Sequence, residues 1–182
     1  MSGLQRLRLT ELAARIRDGA VTSVAATEAV LARAAAVQPQ VHCFLEIDRD
    51  GALRAAEQAD RARAAGAVLG PLHGVPLAHK DMFDIAGQVI RYGSKVRGEH
   101  RPGITATVLE RLAAAGAVRI GALNMAEFAL GPTGHNGAVG DCRNGRDPRF
   151  MAGGSSSGSG AAVAAGAVYG ALGSDTGGSV RI

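Results

Sequence analysis

The chain has 182 residues, enough for one domain with a sizeable core, and its 47% hydrophobic and 20% charged content excludes disordered and fibrous classes. Its net charge of +4 comes largely from single arginines set among acids, and with 3% aromatic residues and no tryptophan it lacks the basic, aromatic-interleaved stripe of a nucleic-acid surface. Two widely separated cysteines, Cys43 and Cys142, exclude a disulfide framework or a Cys-based zinc site and fit a reducing cytoplasm, so no direct nucleic-acid binding and a cytoplasmic location are expected.

Residues 1–19 lack the apolar run of a signal peptide, and the weakly polar stretch 160–173 is too short to span a membrane, so no membrane association is expected. Residues 9–19 place Leu9, Leu12, Ala13 and Ile16 at helical spacing and end on Gly19, a C-terminal stop. The run 22–39 predicts a second helix, with Ser23 as N-cap, Val24, Thr27, Leu31 and Ala34 on one face, and Pro39 beyond its end. A third helix fits residues 48–66.

The pattern then changes. Residues 70–81 (GPLHGVPLAHKD) and 116–124 (GAVRIGALN) are short apolar runs bounded by glycine, which predict buried strands, with a helix over 105–116 between them. A Gly/Ser stretch, an alanine-rich helix and a last apolar run follow. Helices first and then alternating strand and helix favour an α/β layer fold.

Residues 152–166, AGGSSSGSGAAVAAG, pose the central question. Gly/Ser tracts usually form flexible linkers, yet this one runs directly into small apolar sequence that packs as helix. A phosphate loop would need Gly-Lys-Ser/Thr, and Val163 stands where a dinucleotide fingerprint needs its third glycine. A second small-residue motif, GSDTGGSVR at 173–181, can aim several backbone N–H groups at one point, as an oxyanion hole requires, with Ser179 as the nucleophile.

A serine nucleophile needs a base. His42, His73, His79, His100 and His135 are scattered and lack a recognisable triad context, so packing or surface roles are expected for them. Lys80 closes the apolar run GVPLAH. A solvated lysine at a strand end is the commoner arrangement; a desolvated one would lose its proton more readily and become a base.

Taken together, GVPLAHKDMFDIAG, GALNMAEFALG, GGSSSGSGAAVAAG and ALGSDTGGSVR resemble the amidase signature family across most of residues 67–182. That resemblance implies an α/β/α layered fold with a mixed central sheet, preceded by an N-terminal helical segment at 1–66. It also implies a Ser-cis-Ser-Lys triad, in which Lys80 is the base, Ser155 the bridging serine after a cis peptide bond, and Ser179 the acyl-accepting nucleophile. The N–H groups of Thr176, Gly177, Gly178 and Ser179 would form the oxyanion hole. Ser156, Ser157, Asp175 and Arg181 would hold the loops, as buried polar groups must find partners. Structural roles are expected for Asn124, Glu127, His135 and Asn136.

The family often has Asn-Pro where Asn144-Gly145 stands, proline where Ala152 stands and alanine where Gly160 stands; none of these touches the triad. Family members also continue well past the point where this sequence reaches Ile182. The expectation is therefore the N-terminal part of an amidase domain, with a sheet edge left open. The implied function is hydrolysis of carboxylic amides through a serine acyl-enzyme. The alternatives are the glutaminase-type A subunit of a tRNA-dependent amidotransferase, or an inactive remnant. No metal or organic cofactor is implied; the implied partners are a small-molecule amide and, besides a homodimer, an amidotransferase subunit.

Overall fold

The computed structural model describes residues 3–182. A short 3-10 turn, Gly3–Arg6, leads into α1 (Leu9–Arg17), α2 (Ser23–Val41), β1 (Phe44–Ile47), α3 (Arg49–Ala64), β2 (Pro76–Lys80), α4 (Thr107–Ala114), β3 (Val118–Leu123), α5 (Ser157–Ala164) and β4 (Ala171–Leu172). The strands form one mixed sheet in the order β1-β3-β2-β4. β2 runs parallel to both β3 and β4, while β1 is antiparallel to β3. This is the α/β arrangement expected from the alternation of strand and helix.

One apolar cluster unites α2, α3 and α5 with the sheet: Val30, Leu31 and Ala34 meet Ala52, Ala56, Ala161, Ala162, Phe44, Ile120 and Leu123. The helices present alanine where they approach the strands, which lets backbones come close and reserves the bulk for the sheet. A second cluster sets Leu12, Ala13 and Ile16 of α1 against Ala26 and Val75. Among the described residues, no helix is long and apolar enough to cross a membrane.

Four local differences from the sequence reading have physical causes. The N-cap of α2 is Thr22, whose side chain accepts from Ala25 N–H at 3.0 Å, and Ser23 is already helical and buried, donating to Gly74 O at 2.7 Å. Pro39 lies inside α2 rather than beyond it. The last turn is held from outside, because the Gln38 amide accepts from Phe44 N–H at 3.0 Å and donates to Phe44 O at 2.7 Å, as a neighbouring strand would. That contact also fixes the first residue of β1, a four-residue strand between the two expected helices, inside the N-terminal segment expected to be helical.

The fourth difference concerns the Gly/Ser stretch. α5 begins within it, at Ser157, and ends at Ala164, inside the alanine-rich run. Gly158 explains the placement, since a Cβ there would sit 2.4 Å from both Asn124 N and Cys43 O. Only glycine allows the first turn of α5 to rest directly on the ends of the strands.

Candidate active site

β2 and β4 run parallel, and their carboxyl ends point to the same edge of the sheet, the usual location of sites in open α/β sheets. Lys80 is the last residue of β2 and is fully buried. The turn into α5 brings Ser155 and Ser156 beside it, and the peptide bond between Gly154 and Ser155 is cis. The segment after β4 adds Ser174.

Three hydroxyl oxygens surround the Lys80 amine: Nζ lies 2.7 Å from Ser155 Oγ, 3.1 Å from Ser156 Oγ and 2.8 Å from Ser174 Oγ. Burial disfavours the ammonium form and pulls Lys80 from its ordinary 10.5 down to about 8, against the opposing pull of the Asp175 carboxylate. An amine so placed is neutral in a substantial fraction near physiological pH and can take a proton from a hydroxyl.

Ser156 is the hub. Its Oγ donates to Ser174 O at 3.0 Å and accepts from Ser174 N–H at 3.2 Å, and its own N–H donates to Ser179 O at 3.0 Å. The loop after β4 is thereby pinned to the start of α5. Ser157 contributes differently from the expectation: it is buried at the head of α5, but its Oγ has no hydrogen-bond partner among the described residues.

The segment carrying Ser179 is organised by Asp175. Its Oδ1 accepts from Gly178 N–H at 2.8 Å, its Oδ2 from Val180 N–H at 3.3 Å, and Arg181 pairs with both oxygens at 2.9 Å. The Arg181 guanidinium holds the Asp175 carboxyl well below the usual carboxylate range. One expectation is corrected here: the Gly178 N–H is committed to Asp175 and is not free for an oxyanion. Thr176, Gly177 and Ser179 keep that possibility.

Ser179 lines a cleft of about 400 Å³ together with Met82, Leu130, Pro132, Gly154 and Ser174. Among the described residues no hydrogen bond joins Ser179 Oγ to Ser155 Oγ. Lys80, Ser155 and Ser156 thus form one connected group, with Ser179 attached through its carbonyl.

Around this centre, buried and half-buried polar groups tie loops together. Asp81, next to Lys80, accepts from Gly93 N–H at 3.1 Å, and Asn136 donates to Gly93 O at 2.8 Å and Met125 O at 2.7 Å. Asn124 donates to His42 O at 3.0 Å and Gly140 O at 3.1 Å, and Glu127 accepts from Ser94 Oγ at 2.5 Å. These are the structural roles expected for Asn124, Glu127 and Asn136. His135 pairs with Asp141 on the surface at 2.7 Å. The sequence reading missed Ser174. It lies inside the quoted motif, but a serine two positions after a two-residue strand has no periodicity to mark it.

The amidase family model matches residues 25–182, and the chain belongs to that family. The match reaches well upstream of residue 67. The A subunit of glutamyl-tRNA(Gln) amidotransferase from Chloroflexus aurantiacus is 47% identical over 181 residues, all of this chain and 37% of that relative's length. Its counterpart from Streptomyces coelicolor is also 47% identical, with 36% of its length covered. Among solved structures, an amidase superimposes with a TM-score of 0.90 at 40% identity over 97% of this chain and 40% of its own. A fatty acid amide hydrolase gives 0.90 at 30% identity, covering 98% of this chain and 32% of its own. The chain therefore spans about 37% of the length of the curated relatives it matches.

Proposed function

We propose that this chain carries the acyl-transfer centre of an amide-cleaving enzyme, with Ser179 as nucleophile, Ser155 as proton relay and Lys80 as base. The observation that carries the reading is the buried Lys80 amine, 2.7 Å from Ser155 Oγ and depressed to about 8. Ser179 Oγ attacks the carboxamide carbon while its proton passes through Ser155 to the neutral amine. The tetrahedral intermediate then expels ammonia or an amine, which takes the proton from Lys80 by the same route, and water or another acceptor takes the acyl group from Ser179.

Thr176, Gly177 and Ser179 line the cleft, and their N–H groups are the oxyanion donors in this reading. Each such donor is worth roughly 3–4 kcal/mol of transition-state stabilisation. Lys80 and the serines suffice for this chemistry, so no cofactor or metal is assigned a role.

A second reading has its own support: the amidotransferase A subunits match the whole chain at 47% identity. In that reading the amide is the side chain of glutamine, the released ammonia passes to a partner protein, and the cytoplasm is the setting. The chemistry at Ser179 is the same in both readings, and the fate of the ammonia separates them.

The test is intact-mass analysis after reaction with a fluorophosphonate probe, with circular dichroism as folding control. The expected result is one adduct on the wild type and none on Ser179→Ala. An adduct on both would reject Ser179 as the nucleophile. Ammonia release from free glutamine, compared with simple alkyl amides, then distinguishes the two substrate classes.

A further inference from the structure

A neutral amine has two N–H bonds and one lone pair, yet three hydroxyl oxygens crowd Lys80 Nζ. The direction of each contact decides whether Lys80 can work as a base. The proton of Ser156 is already spent on Ser174 O at 3.0 Å, so towards Lys80 this hydroxyl can only accept. One N–H is therefore fixed on Ser156. The other N–H and the lone pair remain to be divided between Ser155 and Ser174.

Ser174 differs from Ser155 in two respects. It lines the cleft, which gives its hydroxyl proton a destination away from the amine, and its backbone is clamped on both sides by Ser156 Oγ, as donor and as acceptor. Ser155 is buried at 1% exposure, and Lys80 Nζ is the one hydrogen-bond partner of its Oγ among the described residues.

We propose that Ser174 is a positioning residue for Lys80: by accepting the second N–H, it leaves the amine lone pair aimed at Ser155 and at nothing else. This inference rests on reading Lys80 as the base. In the ammonium form all three oxygens accept. When the proton leaves, only the Ser155 contact reverses, with the Ser155 hydroxyl turning from acceptor to donor. The cradle thus converts deprotonation of Lys80 into a single hydroxyl rotation on the relay. The nearby charged group is the Asp175 carboxylate, one residue on from Ser174, and it favours the ammonium form.

The test uses Ser174→Ala, Ser174→Val and Ser174→Thr, the last two being nearly equal in shape and differing in the hydroxyl. Two readouts are taken: the rate of fluorophosphonate labelling at pH 9.5, roughly 1.5 units above the Lys80 midpoint of about 8, and the titration of Lys80 followed by NMR of ¹³Cε-labelled lysine. The Ala and Val variants should label about tenfold more slowly, the scale of one misdirected hydrogen bond, and Thr should restore the rate to within about threefold.

The Lys80 midpoint should fall by roughly half to one unit in Ala and Val, because the charged form loses an acceptor that it used more strongly than the neutral form did. In Thr it should stay where it is in the wild type. Equal or faster labelling in Ala and Val, with the midpoint unmoved, would overturn the proposal and mean that Ser174 competes for the lone pair or stands apart from it. If the wild type does not label at all, Ser179 as nucleophile fails instead. The Lys80 titration then still decides the cradle by itself, a shift in Val but not Thr supporting it and no shift rejecting it.

Discussion

The two ends of the candidate site are held by opposite means. The amine end is interior: Lys80, Ser155 and Ser156 are each 5% exposed or less, and among the described residues every hydrogen bond of the amine is to a serine hydroxyl, with that of Ser156 fixed in turn by backbone. The Ser179 end is at the surface, where Asp175, Thr176, Gly177 and Arg181 are exposed and one carboxylate, shared by two N–H groups and a guanidinium, orders the turn. The proposed base, Lys80, is shielded from salt and water by burial. The turn that carries the proposed nucleophile, Ser179, is held by an ion pair that solvent can screen.

That contrast orders the effects of substitution. Ser179→Ala removes the proposed reacting atom and should abolish covalent labelling, a loss of about 10³-fold or more, since residues acting as a unit fail together. Circular dichroism should be unchanged, because the contact tying residue 179 to Ser156 is made by its carbonyl. A residual adduct above one thousandth of the wild-type rate would move the nucleophile elsewhere.

Lys80→Met should cost on the order of 10²–10³-fold in labelling rate while making the fold more stable, which separates catalytic need from structural need. The unfolded chain keeps its Lys80 proton up to 10.5, while the folded chain sheds it near 8. Wild-type stability should therefore rise with pH between about 8 and 10.5, and the cost of burying the charge is present in full below that window. After solvent screening that cost is on the order of 1–2 kcal/mol. In urea unfolding at pH 7 the Met variant should gain about this amount and lose the alkaline rise. A less stable Met variant would mean that the hydroxyl cradle needs the amine in order to pack.

Asp175→Asn should act on the other end and more mildly, at about tenfold in labelling rate, by loosening the turn that presents Ser179. It also removes the charge that favours the Lys80 ammonium, so the acid limb of the pH profile should move below the wild-type value of about 8. High salt should slow the wild type towards the variant and leave the variant nearly unaffected. If salt slows both equally, the Asp175–Arg181 pair is not what orders the turn.

The same contrast governs what could be read from the sequence. The helical faces of α1 and α2 and the strands β2 and β3 were legible, because apolar spacing reports burial directly. Strand β1 was not: four residues between two helices carry too little periodicity, and its pairing is prompted by the side chain of Gln38. The extent of α5 was hidden for a related reason, since a Gly/Ser stretch reads as coil until the strand ends it packs on are known. At the site, Ser179 and Lys80 were candidates from a small-residue motif and a strand end and Ser155 came from the family resemblance, whereas the Gly178 N–H and Ser174 depend on which partner each group meets, which spacing does not encode.

The smallest effect on labelling belongs to the far side of β2. His79, at 2% exposure, contacts Lys80 O through Nδ1 at 3.1 Å and accepts from Arg119 Nε through Nε2 at 3.0 Å, which requires Nδ1 to carry the proton as donor and the ring to be neutral. Burial first, and the Arg119 charge as a smaller contribution, push its pKa from 6.5 down to about 4, against the opposing Lys80 carbonyl. Between those values the unfolded chain binds a proton that the folded chain refuses, so stability is lost as pH falls from 6.5 towards 4, by up to about 3 kcal/mol. His79→Asn keeps a donor near the Lys80 carbonyl and cannot titrate. It should be less stable at pH 7 by roughly 1 kcal/mol, nearly flat between pH 6.5 and 4, and close to wild type in labelling rate at pH 8, because its side chain meets the strand and not the amine. A labelling rate reduced tenfold with the fold intact would show instead that the carbonyl of Lys80, and hence the aim of its side chain, is set by His79.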